Sequence, residues 1–207
     1  MPSFPSRPAL SFLACLATAT TLSAHAGIVS VAVTDAAGRP LSDAVVLLEP
    51  ASGKAAVKPM VGVEIAQAKR QFQPRVTLVT VGSRVNFPNF DTVRHHVYSF
   101  SKARTFEIKL YAGVPAEPVL FDKPGIAVLG CNIHDRMAAW VVVADTPWNA
   151  LAGADGIARI ADAPPGGYTL SVWHPALAAN SAPVTRAVQV GAAELRESFQ
   201  LDVAAQP

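Results

Sequence analysis

Short apolar runs separated by turn residues set the texture of the chain. Runs over 28–34, 44–48, 76–79, 85–88, 96–100, 105–110, 126–129, 139–143, 158–160, 168–173, 186–190 and 197–203 are rich in Val, Ile, Phe and Tyr. They are interrupted by Gly, Pro, Asn and Asp turns such as Ala37-Gly38-Arg39-Pro40 and Pro164-Pro165-Gly166-Gly167. Each run is strand length, and their spacing predicts an all-β protein of β-sandwich architecture. Only residues 63–72 break the pattern. Ile65, Ala68 and Phe72 stand at near-helical spacing, yet the stretch also fits an irregular strand running into Phe72-Gln73-Pro74, and strand or loop is the reading taken.

Two textures alternate along the chain. Residues 27–50 (Val33-Thr34-Asp35, Gly38-Arg39-Pro40-Leu41, Ala44-Val45-Val46-Leu47) and 150–175 (Asp155-Gly156, Ala158-Arg159-Ile160, Gly166-Gly167-Tyr168-Thr169-Leu170) resemble the two ends of a transthyretin-like or carboxypeptidase-regulatory-like sandwich. Residues 63–145 between them differ. The expected organisation is a leader over 1–26, an amino-terminal β segment over 27–62, a functional domain over 63–145, and a carboxy-terminal β segment over 146–207 that joins 27–50 as a second small sandwich or an extension.

The leader is read from Arg7, the apolar and small-residue run over 9–22, and Ala24-His25-Ala26, which offers small residues where a signal peptidase reads. Cleavage before Gly27 predicts a periplasmic or secreted protein. Cys15 follows too few apolar residues for a lipoprotein signal, and no run reaches the length that spans a bilayer. A net charge of +2 without a Lys/Arg run gives no reason to expect nucleic acid or anionic lipid as partner. Losing Cys15 with the leader leaves Cys131 as a lone thiol in a compartment where thiols are usually paired or absent. An inert buried Cys or an intermolecular disulfide would account for that alone.

The neighbours of Cys131 point elsewhere. Cys131-Asn132-Ile133-His134-Asp135-Arg136-Met137 spaces a thiolate, an imidazole and a thioether three residues apart between two expected strands. A loop there can turn all three onto one ion, and soft sulfur with imidazole favours copper over hard cations. A second imidazole comes from Val93-Arg94-His95-His96-Val97-Tyr98, after Gly82-Ser83-Arg84-Val85-Asn86-Phe87-Pro88-Asn89. With Phe72-Gln73-Pro74, these motifs make residues 72–143 resemble a cupredoxin of the plastocyanin and amicyanin kind, and the short Cys-x-x-His-x-x-Met loop is the amicyanin-like variant.

The resemblance implies a Greek-key β-sandwich holding one mononuclear type 1 copper ion. It assigns Cys131 as the thiolate ligand, His95 and His134 as equatorial imidazoles, and Met137 as the long axial ligand. His95 is preferred because the family places its ligand first in the pair, with His96 standing where the family has Asn. Neighbouring strand residues face opposite ways, so one of the two looks into the site, and a register slip of one would exchange them.

Asn89 and Asn132 are the nearest polar candidates to support the ligands, with ordinary turn chemistry as the alternative for both. Asp135 and Arg136 are expected to point outward as a solvated pair. His174, in Trp173-His174-Pro175, is either packed structure or a further metal ligand or electron route. Trp140, Trp148, Phe87, Phe100 and Phe106 are expected in the core.

The functional expectation is a non-enzymatic blue-copper electron carrier cycling Cu(II) and Cu(I). Its partner would be a cytochrome or dehydrogenase docking transiently near His134, and the amicyanin resemblance suggests methylamine or related amine oxidation. The alternatives are a copper delivery, storage or sensing module with the same ligands, and a non-metal β-sandwich interaction domain. A hydrolase of the transthyretin-like kind would need a carboxy-terminal Tyr-Arg-Gly-Ser, which the ending Phe199-Gln200-Leu201-Asp202-Val203 does not supply. A Cys131–His134 nucleophile pair lacks an evident third orienting group.

Overall fold

The computed structural model describes residues 26–179 and 181–203. The expected leader, apart from Ala26, lies outside the described residues, and Cys15 with it.

All regular elements among the described residues are strands: β1 (Gly27–Asp35), β2 (Val45–Pro50), β3 (Val63–Glu64), β4 (Ala66–Ala68), β5 (Gln71–Gln73), β6 (Val76–Thr80), β7 (Ser83–Asn86), β8 (His95–Ser101) and β9 (Arg104–Tyr111). They continue as β10 (Val119–Phe121), β11 (Gly125–Gly130), β12 (Ala138–Ala144), β13 (Asn149–Leu151), β14 (Ile157–Ala163), β15 (Gly166–Trp173), β16 (Val184–Val190) and β17 (Leu195–Leu201). Every run expected to be a strand coincides with one of these. The ambiguous stretch over 63–72 resolves into β3, β4 and the start of β5, without a helix. β10 and β13 were not anticipated, because three residues are too few to display a period of two.

The strands build two cores. Sheet β14-β1-β17 packs on sheet β13-β2-β15-β16 around Val29, Val31, Val33, Val46, Leu48, Leu170, Val172 and Phe199. Alternation in β1 explains its half of that core: Val29, Val31 and Val33 point inward while Ile28 lies at the surface. The chain leaves this sandwich after β2 and re-enters it at β13, which pairs with β2; β1 closes it by running antiparallel to β14 and parallel to β17.

Between those points, the five-stranded sheet β6-β12-β11-β8-β9 and the three-stranded sheet β10-β7-β3 enclose a second core. It contains Ile65, Phe72, Phe87, Phe121, Leu129, Cys131, Met137 and Val141.

β12 joins the two halves. Its sequence Ala-Ala-Trp-Val-Val-Val-Ala is almost unbroken apolar, as a strand covered on both faces requires. Val141 and Val143 face the second core, while Val142 turns the other way and meets Val76, Val45 and Trp173 in a junction cluster. That junction covers only one end of the sheet. Farther along the same outer face Phe100 is 78% exposed, so it is not a core aromatic. Phe87 is buried, and Phe106 and Trp140 pack partly buried against the second core and the junction; Trp148 packs against the first core.

Candidate metal centre

His95 opens β8, Cys131 follows the last residue of β11, and His134 and Met137 occupy the turn before β12. Two backbone hydrogen bonds tighten that turn: His134 N donates to the Cys131 carbonyl at 3.4 Å, and Met137 N to the His134 carbonyl at 2.9 Å. Gly130 sets where the turn begins. It pairs with Tyr98 of β8, whose ring lies so close that a Cβ at Gly130 would come within 2.6 Å of Tyr98 Cζ. Only glycine lets the aromatic ring seal against the backbone immediately before Cys131.

Three of the expected ligands converge. Donor atoms of His95, Cys131 and His134 all lie within 4.8 Å of one another. Cys131 Sγ is 3.8 Å from His95 Nδ1 and 3.9 Å from His134 Nδ1, and the two imidazole centroids are 5.0 Å apart. His95 and Cys131 are buried and His134 is partly exposed. Met137 is buried in the same core as Cys131. Asn132, Asp135 and Arg136, between the ligands, are exposed.

The choice between the two histidines follows from the sheet. A bulge between His95 and Val97 sets one residue of β8, His96, against two of β9, Lys109 and Leu110. His95 faces Cys131. His96 faces the outer side, where its ring stacks near Tyr98 at 5.4 Å and Nε2 lies 2.9 Å from Glu107 Oε1 without hydrogen-bond alignment.

Support for His95 comes from Asp91, which lies outside the ligand motifs. Asp91 Oδ2 stands 2.8 Å from His95 Nε2, within hydrogen-bond reach of the ring nitrogen opposite the Nδ1 that faces Cys131. The same carboxylate accepts the backbone N–H of Lys69 at 2.7 Å and of Arg70 at 2.9 Å. Burial pushes the Asp91 carboxyl up, but the Arg70 amide, the His95 ring and the Lys69 amide outweigh it and hold the group below the usual carboxylate range.

Asn89 follows the second of its two expected roles, turn chemistry, and holds the loop. Its Nδ2 donates to the carbonyls of Val93 and Tyr111, each at 2.9 Å, and its Oδ1 accepts the Asp91 N–H at 3.0 Å.

Under the site, Tyr111 donates to the Phe87 carbonyl at 2.6 Å and contacts Gln67 Nε2, while Gln67 Nε2 also reaches the Phe87 carbonyl at 3.2 Å. Burial pushes Tyr111 up to about 12, opposed by the Gln67 contact and reinforced by charge on Cys131. Tyr111 is therefore a neutral donor under ordinary conditions. Neither Gln67 nor Tyr111 belongs to the motifs that single out the ligands; an acidic residue four before His95 is the one clue that would have led to Asp91.

His174 lies outside this group. Its Nε2 donates to the Ser42 carbonyl at 3.0 Å and its Nδ1 accepts the Ala176 N–H at 3.1 Å, which uses both nitrogens and makes it a neutral structural pin. Burial lowers its pKa below the ordinary value and Arg75 adds to this, while the Ser42 hydrogen bond and Asp43 act in the opposite direction. Because the folded value is depressed, the native state binds fewer protons than the unfolded chain. The contribution is intact above about pH 6.5 and is lost as pH falls toward the folded value. Denaturant midpoints measured between about pH 7 and 5 should therefore fall more steeply for the wild type than for His174→Gln. Parallel pH profiles would contradict the pin.

No protein-family model matches the sequence, and none of the curated proteins matches it. Among solved structures, similarity is found to a purple cupredoxin from Nitrosopumilus maritimus, at 18% identity and TM-score 0.35 over 40% of this chain and 99% of that one. A single-residue mutant of amicyanin in its oxidised state aligns at 22% identity and TM-score 0.36, over 40% of this chain and 81% of that one. A copper-containing nitrite reductase from Thermus scotoductus SA-01 aligns at 23% identity and TM-score 0.38, over 46% of this chain and 25% of that one.

Proposed function

We propose that the chain is an exported type 1 copper protein that carries single electrons and does not itself catalyse a reaction. The observation that carries this reading is the spacing of Cys131 Sγ from the two Nδ1 atoms, 3.8 and 3.9 Å. A first-row ion about 2.3 Å from sulfur and about 2.0 Å from nitrogen needs an S···N separation of about 3.5 to 3.7 Å, close to the spacing of these donors. His95, Cys131 and His134, with the buried Met137 in the same loop, would hold a copper ion, because a thiolate and a thioether beside two imidazoles form a donor set that favours copper over hard cations. Copper bound there would supply one-electron redox chemistry.

The residues do the rest. His95, Cys131 and His134 sit on strand ends and a hydrogen-bonded turn, so their spacing is held whichever oxidation state is present. Burial of His95, Cys131 and Met137 excludes water from three sides. His134 is the partly exposed member and provides the exit to a partner. The loops meeting at this end carry exposed Phe90, Val93, Val114 and Ile133. An apolar rim of this kind suits a small, transient interface with a redox protein such as a cytochrome or an amine-oxidising dehydrogenase.

Loading the protein with Cu(II) beside Cys131→Ser tests the proposal. The wild type should show an intense thiolate-to-copper charge-transfer band and narrow copper hyperfine splitting in electron paramagnetic resonance, both absent from the variant. A wild type that binds one equivalent of copper without that band is a delivery or storage site and not an electron carrier.

A further inference from the structure

The β4–β5 hairpin is joined by Lys69 and Arg70, both in the left-handed region at φ 56° and 59°. Two consecutive left-handed residues make the tight turn that Asn-Gly normally fills, and for residues with a Cβ each costs on the order of 1 kcal/mol or more. Nothing in hairpin formation requires Lys and Arg there. What the turn achieves is to aim two adjacent backbone N–H groups at one carboxylate, that of Asp91, which passes its remaining contact to His95 Nε2.

We infer that Asp91, clamped by the Lys69 and Arg70 amides, is a positioning residue that fixes the His95 tautomer and places a carboxylate one imidazole away from the metal, favouring the oxidised ion. This rests on the type 1 reading for its redox part alone; the tautomer part is a property of the metal-free chain. Asp91 acts through His95 and touches no donor position itself. Taking up one electron lowers the charge of the ion by one, so a fixed anion behind His95 is worth more to the oxidised state than to the reduced one. The amides matter because they anchor both carboxylate oxygens and stop the side chain from swinging away from His95.

Two substitutions separate charge from geometry. In Asp91→Asn the remaining oxygen can still accept from His95 and Arg70, while the amide nitrogen faces the Lys69 N–H; the charge is gone and the tautomer is kept. In Asp91→Ala both are gone. Nitrogen-resolved NMR of the metal-free protein should show His95 protonated at Nε2 in the wild type and in Asp91→Asn, and a tautomer mixture in Asp91→Ala. Copper affinity should fall by roughly 10- to 100-fold in Asp91→Ala.

In the copper-loaded protein Asp91→Asn should keep the thiolate band and raise the reduction potential, whereas Asp135→Asn, an equal charge change at an exposed position, should shift it less. An unchanged potential in Asp91→Asn with the band intact, or an unchanged His95 tautomer in Asp91→Ala, overturns the inference. If instead the wild type itself shows no thiolate band, the type 1 proposal fails, and the metal-free NMR still decides whether Asp91 positions His95.

Discussion

Replacing His95 by alanine is expected to abolish the thiolate–copper band, and replacing its neighbour His96 by alanine to preserve it. The two residues are adjacent, both imidazoles and both nearly buried, so neither composition nor burial distinguishes them. Orientation does. His95 Nδ1 faces Cys131 Sγ at 3.8 Å and its far nitrogen is engaged by Asp91, whereas His96 stacks against Tyr98 on the outer side of the sheet. Loss of groups that merely orient a ligand typically weakens metal binding by about 10- to 100-fold, so loss of the ligand itself should exceed about 100-fold. Copper titration followed in the visible and by electron paramagnetic resonance measures both effects. A band that survives in His95→Ala and disappears in His96→Ala would mean the register of β8 is displaced by one residue in solution.

Phe87→Ala is expected to be the most damaging change outside the ligands, lowering unfolding free energy by about 3–5 kcal/mol in denaturant titration. Phe87 is 1% exposed, and its ring packs 5.6 Å from that of Phe106, which in turn stands edge-on to Phe121 at 6.2 Å. Truncation leaves a cavity at one end of that aromatic row, and the strands around it cannot collapse without breaking their pairing. The Phe87 carbonyl also accepts from Tyr111 and Gln67, so any backbone shift there disturbs the polar floor of the site. A typical domain has only about 5–15 kcal/mol in hand, so copper affinity should weaken along with stability. A loss below about 1 kcal/mol would show that the core refills the space.

Much of this was legible in the chain. The Cys131 and His134 pair was legible because a three-residue turn between two strands leaves few ways to place those side chains, whereas His95 was reached through the family resemblance; the near-continuous apolar run of β12 announces a strand buried on both faces. Asp91 was not legible. Its role depends on the β4–β5 turn, 21 and 22 residues earlier, adopting left-handed conformations that Lys and Arg rarely adopt. Asn89 was legible as important with its role left between two alternatives, since a side-chain amide near a ligand can serve either sulfur or loop, and only coordinates tell which carbonyls it meets. Phe100 was misplaced for another reason. Alternation says which face of β8 it occupies, but the extent to which a second sheet covers that face is set by the junction at Val45, Val142 and Trp173, remote in sequence.

The interrupted path of the outer sandwich bears on how the chain is made. Leu48 and Thr146 are 98 residues apart, and Ser30 and Glu194 are 164 apart, yet each pair is hydrogen-bonded. During synthesis at about 5–20 residues per second, β1 and β2 therefore wait on the order of ten seconds for their partners, while β3 to β12 already have all of theirs. The metal-binding half can close first, and the Val-rich amino-terminal strands remain sticky until the last strand arrives. A chain terminated after β12 would keep every ligand and still be prone to aggregate through β1 and β2.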